Sequence, residues 1–205
     1  MYNTTVMKSK TILIILLTIM AGMILFAIFF LDELKELLNR PASYRHVLFV
    51  HIFVVTLFFA NAVVGILWES RSLASGRREL IFHTYETVAW LDARFSSPMI
   101  IASVITGIML TLIRGDLWQI GWLSLAFILF LFSGLVWIVS DIPTQYKIKR
   151  LMKDVDPAAE GIPDELMRIL KMRLWISLVG VVPLLAVFIL MVYKPEITPV
   201  AQWFR

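Results

Sequence analysis

The residues that could carry chemistry lie between Val47 and Ile113, where ionisable side chains interrupt two long apolar runs. His51 stands about one turn inside the first run, and Asp92 and Arg94 lie just ahead of the second. A bilayer tolerates such groups only when they are paired or hydrated, so an ionisable residue at membrane depth is a candidate functional residue. We therefore take His51, Asp92 and Arg94 as the candidate site.

Each of these side chains has a functional and a structural interpretation. His51 could ligate a cofactor or transfer a proton, or it could be an interfacial histidine bonded to water or a backbone carbonyl. Asp92 and Arg94 would anchor their helix through ion pairs, and a helix places them about 200° apart, so each needs a separate partner. We predict that Asp92 pairs with Arg71, and that Arg94 pairs with Glu69 or a lipid phosphate.

Two further residues are predicted to support this site. Asn61 lies deeper in the same run as His51, on a face that it shares with Gly65 at 100° per residue. Pro98 follows the two charges and should kink the helix that carries them. The sequence holds no nucleotide-binding loop, catalytic triad or zinc-protease motif.

Composition identifies the elements that position these side chains. Of the 205 residues, 60% are apolar and 17% are charged, against about 45 to 50% apolar in soluble domains. The apolar residues come in blocks of about 20, the length that a helix needs to cross a bilayer. The sequence predicts an all-α, polytopic membrane bundle of five transmembrane helices that forms a single domain. The predicted spans cover residues 11–31, 47–68, 88–113, 120–139 and 174–193.

The bounds of the first and third spans need an argument. A signal peptide would have a shorter apolar region of about 7 to 15 residues and a small-residue cleavage site, so 11–31 is interpreted as a span. The apolar run after Pro98 holds only about 16 residues, so the third span must begin near Val88 and include Asp92 and Arg94. Residues 31–40 alternate apolar and charged residues with helical spacing, which predicts an amphipathic helix on the membrane surface.

The basic residues indicate topology rather than nucleic-acid binding, because they cluster between the apolar blocks. When Arg94 is counted with the second loop, thirteen of the nineteen Lys and Arg residues lie before the first span and in the second and fourth loops. The positive-inside rule therefore places the N-terminus in the cytoplasm and the C-terminus outside. The lipid bilayer is the partner that follows from composition, and a membrane-protein partner or a homo-oligomer is the further expectation.

The cysteine content limits the cofactors. With no cysteine in the chain, disulfides, iron–sulfur clusters, thiolate-ligated haem and covalently attached haem are excluded. Copper could be held only by Met20, Met23 and His51, since thioethers and imidazoles are suitable copper ligands. Two methionines in an apolar helix are, however, usually packing residues.

Several of these residues form a pattern that resembles a known group of membrane proteins. His51 near the start of its span, the segment LDARFSSPM at 91–99 and the later Gly107 resemble the superfamily of copper-resistance protein D and the bacterial membrane-bound protoporphyrinogen oxidases. Within it, the chain is most similar to a family of predicted integral membrane proteins of unknown function. That family also shows a Trp-containing span closed by Pro-x-Gln and basic residues, here Trp137, Pro143, Gln145, Lys147, Lys149 and Arg150. The resemblance covers about His46 to Leu151.

The resemblance implies a location in the bacterial cytoplasmic (inner) membrane. It also implies a b-type haem, which the protoporphyrinogen oxidase relatives bind through the histidine that corresponds to His51. Those relatives have a lysine where this chain has Leu48, and a glutamate where it has Asp92. Three functions therefore stand as hypotheses: a small haem-binding or redox protein using His51, a non-catalytic accessory or scaffold subunit of a membrane complex, and a copper-handling membrane protein.

Overall fold

The computed structural model describes residues 11, 14–15, 18–19, 21–22, 25–26, 29–38, 41–114, 117–156 and 161–203. Every element in this part of the chain is helical, which confirms the all-α class. Four of its helices are long and apolar enough to cross a membrane: Ser43–Ser75, Arg78–Ile113, Gly121–Asp154 and Asp164–Tyr193. The first predicted span, 11–31, is described only in part, and the count of five spans and the orientation stay predictions.

The helices follow one another with short connections. They are α1 (Leu31–Leu38), α2 (Pro41–Ser75), α3 (Arg78–Leu91), α4 (Ser97–Arg114), α5 (Gly121–Val136), α6 (Ile142–Asp154) and α7 (Asp164–Tyr193), with a final 3-10 turn at Val200–Gln202. A π-helical turn at Asp92–Ser96 joins α3 to α4, and a second at Trp137–Asp141 joins α5 to α6. Each joined pair is thus one continuous helix. The first pair begins well before its predicted span, at Arg78, and the second ends well after its predicted span, at Asp154.

Both π turns lie just ahead of a proline. Proline has no N–H, and its ring collides with the carbonyl of the residue four positions earlier. For Pro98 that residue is Arg94, and for Pro143 it is Val139, and each is the middle residue of its π turn. The wider turn therefore accommodates the proline by letting the hydrogen bonds pass to a carbonyl five residues back.

A turn at Ser75 and Gly76 separates α2 from α3. Gly76 has φ +65°, a left-handed conformation that glycine adopts without the Cβ clash of other residues. The following helix begins at Arg78. Helix α7 begins directly after Pro163, whose fixed φ suits a helix start, and continues into the apolar span.

The chain divides into two compact units. The first unit comprises Met1–Asn61 and Trp90–Asp116, and the second comprises Ala62–Ala89 and Leu117–Arg205. Within the first unit, α1 packs against α4. Within the second unit, α5 packs along α7, and a core formed by α3, α6 and α7 buries Ile81, Tyr85, Ile148, Leu166, Ile169 and Leu170.

Candidate functional site

His51 lies in the first unit, where α4 holds its imidazole in place. Nδ1 lies 2.9 Å from the hydroxyl oxygen of Thr106. That hydroxyl also lies 2.7 Å from the carbonyl of Ala102, and when it donates its proton there, its oxygen accepts from an Nδ1–H of His51. In that tautomer Nε2 keeps its lone pair, which is what a metal-ligating histidine needs.

Gly107 makes room for the imidazole. A Cβ atom added at this glycine would lie 3.4 Å from Cε1 of His51, which is van der Waals contact. A side chain larger than that of alanine would therefore press on the ring. The absence of a side chain lets the imidazole lie against the backbone of α4. Gly107 was part of the sequence pattern, and the structure gives it this packing role beside His51.

Asn61 connects α2 to the π turn within the same unit. Its amide nitrogen donates to the hydroxyl of Ser96 at 2.7 Å, and Ser96 is buried. A hydrogen bond of this kind satisfies a polar group that would be costly to leave alone in an apolar helix. Asn61 thus ties α2 to the π turn, and its support of a site at His51 stays a prediction.

Asp92 and Arg94 are both half-buried in the π turn. The backbone carbonyl of Asp92 accepts the N–H of Ser97 and also its hydroxyl, at 2.7 Å. The guanidinium of Arg94 lies 5.3 Å from the ring centre of Trp90, within cation–π range. Their predicted ionic partners, Arg71 and Glu69, belong to the second unit, and these two pairings stay predictions.

Glu69 has a partner that was not predicted from the sequence. In the second unit the guanidinium of Arg173 donates to the carboxylate of Glu69, and its Nε lies 3.1 Å from a carboxylate oxygen of Asp141. All three side chains are buried, with exposed fractions of 1% for Glu69, 2% for Arg173 and 5% for Asp141. We call these three residues the ion cluster.

Two neighbouring side chains contact the ion cluster. The Gln145 amide donates to the other carboxylate oxygen of Asp141 at 2.7 Å. The guanidinium of Arg173 lies 5.6 Å from the ring centre of Tyr85, whose hydroxyl donates to the Leu170 carbonyl at 3.1 Å. One buried cation thus lies between two carboxylates, and its chief effect is to tie α2, the π turn at Trp137–Asp141 and α7 together.

Asp141 and Arg173 were not selected as site residues from the sequence. The signal that the sequence offers is that Glu69, Asp141 and Arg173 each border an apolar run. That position predicts a solvated interfacial charge and does not distinguish it from a buried one. Their burial depends on contacts between residues far apart in the sequence.

The remaining candidates are Arg71 and the expected copper ligands. Arg71 is exposed and lines a cavity in the second unit, together with His83. Met20 and Met23, the expected copper ligands, lie outside the described residues. Among the residues that the structure describes, no three His, Asp or Glu side chains are grouped so that they could hold a metal ion.

A comparison of the sequence with known proteins identifies a family. No curated protein and no solved structure matches the chain. The wider resemblance to copper-resistance protein D and the protoporphyrinogen oxidases therefore rests on the sequence motifs alone. A family model described as "Predicted integral membrane protein (DUF2269)" matches residues 45–195, which cover most of the 205 residues and all four long apolar helices. The chain belongs to this family of predicted integral membrane proteins.

Proposed function

We propose that this membrane protein binds b-type haem, with Nε2 of His51 as an axial ligand. The observation that supports this most directly is the hydrogen bond between Nδ1 of His51 and Thr106. With the ring proton on Nδ1, the other nitrogen keeps the lone pair that can coordinate iron. A bound haem would supply one-electron redox chemistry, which the protein's own side chains do not provide.

The surrounding residues have distinct tasks in this proposal. Thr106 orients the imidazole, as outer hydrogen-bond partners of metal-ligating histidines do. Gly107 keeps the space beside Cε1 open. Asn61 holds the same stretch of α2 to the π turn through Ser96. The donor set fits a haem-ligating histidine, and the bilayer supplies the apolar surroundings of a porphyrin.

The test is an absorption spectrum of the full-length protein, purified in detergent from cells supplied with a haem precursor. We expect a Soret band that His51→Ala abolishes. His46→Ala is the matched control, because His46 lies exposed on the same helix and should leave the band unchanged. Thr106→Val should weaken haem retention by about 10- to 100-fold, the usual effect of removing an outer partner. A colourless protein after haem supply would refute the proposal.

The same contacts favour a second candidate, an accessory or scaffold subunit without a cofactor. The packing of His51 against Gly107 and the bond from Asn61 to Ser96 would then serve only to fix α2. In that case His51→Ala should lower the thermal stability while the protein stays colourless and still copurifies with its membrane partner. Loss of a Soret band in His51→Ala at unchanged stability would exclude this alternative.

A further inference from the structure

A surface cavity of about 300 Å³ opens between the last turns of α2 and the first turns of α3, within the second unit. Its volume is at the lower end of the range typical of ligand sites. Its lining combines two basic side chains, three hydroxyl groups and two apolar side chains, which are Arg71, His83, Ser72, Thr84, Thr87, Trp68 and Leu80. Neither the candidate haem ligand nor the ion cluster lines this cavity.

The polar part of the cavity suits an anion. Arg71 and His83 are both exposed, and among the described residues neither makes a hydrogen bond or an ion pair. No carboxylate occurs in the part of the lining that the structure describes. Arginine and histidine N–H groups, with the nearby threonine hydroxyls, are the donors that bind phosphate oxygens. The cavity therefore offers positive charge without a counter-ion from the protein.

The apolar part of the cavity indicates which phosphate. Trp68 and Leu80 are 49% and 40% exposed, and the adjoining surface of α2 exposes Leu67 and Val64 as well. Since α2 is one of the helices that can cross the membrane, this strip is suited to contact lipid chains. A soluble phosphate would gain nothing from an indole ring and a leucine beside it, whereas a lipid would bury its glycerol and upper chain carbons against them.

We propose that this cavity binds the headgroup of an anionic phospholipid. The phosphate lies between Arg71 and His83, and the start of the acyl chains lies against Trp68 and Leu80. The bound lipid would neutralise the two basic groups and fill the space between α2 and α3. This site is independent of the proposed haem, because it shares no residue with His51 and its neighbours.

The probe for this site is phosphatidylglycerol, with phosphatidylcholine as the zwitterionic comparison. The full-length protein would be delipidated in detergent and returned to nanodiscs that contain both lipids. The lipids retained after mild release would then be counted by native mass spectrometry. We expect enrichment of phosphatidylglycerol over its share in the nanodisc. A basic residue near an anionic surface contributes about 1 kcal/mol, so Arg71→Gln should reduce this enrichment by about fivefold, and adding His83→Gln should reduce it further.

Arg77→Gln is the matched control, because Arg77 carries the same charge in the adjoining connection between α2 and α3 but does not line the cavity. It should change the enrichment by less than about twofold. An equal loss in Arg77→Gln and Arg71→Gln would mean general attraction to a basic loop and would overturn the proposal. Full enrichment in the Arg71→Gln, His83→Gln double variant would overturn it too. So would inorganic phosphate that releases the lipid at millimolar concentration, since that outcome indicates a soluble ligand.

Discussion

Replacing Arg173 with methionine should destabilise this protein much more than replacing an exposed basic residue. Methionine preserves most of the length and apolar surface of the side chain and removes the cation. Glu69 and Asp141 would then remain buried without the guanidinium that both contact. Removing one member of a buried ion pair typically costs about 3–5 kcal/mol, because the remaining charge cannot be hydrated. At about 2–4 °C per kcal/mol for a chain of this size, the thermal midpoint should fall by about 6–20 °C.

Lys147→Met is the matched control for this experiment. Lys147 pairs with Glu165 at 3.9 Å, but the two side chains are 48% and 59% exposed. An exposed pair of this kind contributes about 0–1 kcal/mol, since both charges stay hydrated when it is broken. The assay is thermal unfolding of the detergent-solubilised protein, followed by tryptophan fluorescence. A fall in midpoint for Arg173→Met no larger than that for Lys147→Met would refute the reasoning.

A further variant separates charge from packing. The triple variant Glu69→Gln, Asp141→Asn, Arg173→Met removes all three charges at nearly constant volume. Neutral replacement of a buried ion cluster is often harmless or even stabilising, so the triple variant should recover most of the midpoint lost in the single variant. If it is as unstable as Arg173→Met, then the loss comes from packing, including the contact with Tyr85, and the electrostatic argument is wrong.

Three further outcomes test other parts of the structure. Gly107→Val should lower the thermal midpoint because its side chain meets the His51 ring, whereas Gly134→Val, with no atom within 4 Å of its Cβ position, should have a smaller effect. Gly121→Ala should destabilise by at least about 1–3 kcal/mol, since its Cβ would overlap a backbone carbonyl of the C-terminal segment, and that segment should become more sensitive to protease. For the orientation, a membrane-impermeant maleimide applied from outside should label Gln119→Cys but not Ser75→Cys in this cysteine-free chain, and the opposite labelling would refute the predicted topology.

Much of the helical framework could be predicted from the sequence, because its causes are local. Long apolar runs require helices in a bilayer, and Gly76 and Pro163 mark a turn and a helix start. The lengths were underestimated, however. Backbone hydrogen bonding continues past the apolar run for as long as the following polar residues tolerate helix, so α2 extends to Ser75 although the predicted span ended at 68.

The candidate site was predictable only where one side chain was unusual by itself. His51 could be selected because a histidine inside an apolar run requires an explanation. The ion cluster could not be selected in this way, because each of its charges stands at the end of a run, where a solvated charge is common. Glu69 and Arg173 are separated by 104 positions, and local periodicity indicates which face a residue occupies but not which distant residue it meets.

The π turns are a further physical reason why the buried faces of the helices could not be predicted from the sequence. A helical wheel assumes 100° per residue, and each π turn adds one residue, so positions after it are rotated by about 100° from where the wheel places them. Asp141 is the last residue of such a turn, and in the helix that follows, Thr144 and Ile148 are buried with it at helical spacing. The buried face of α6 is therefore defined relative to Pro143 and not to the middle of α5. The same holds for α4 relative to Pro98, where Ser96, Ser103 and Thr106 are buried. In a chain like this one, the wheel should be restarted after each proline within a span, because the proline determines where the extra residue goes.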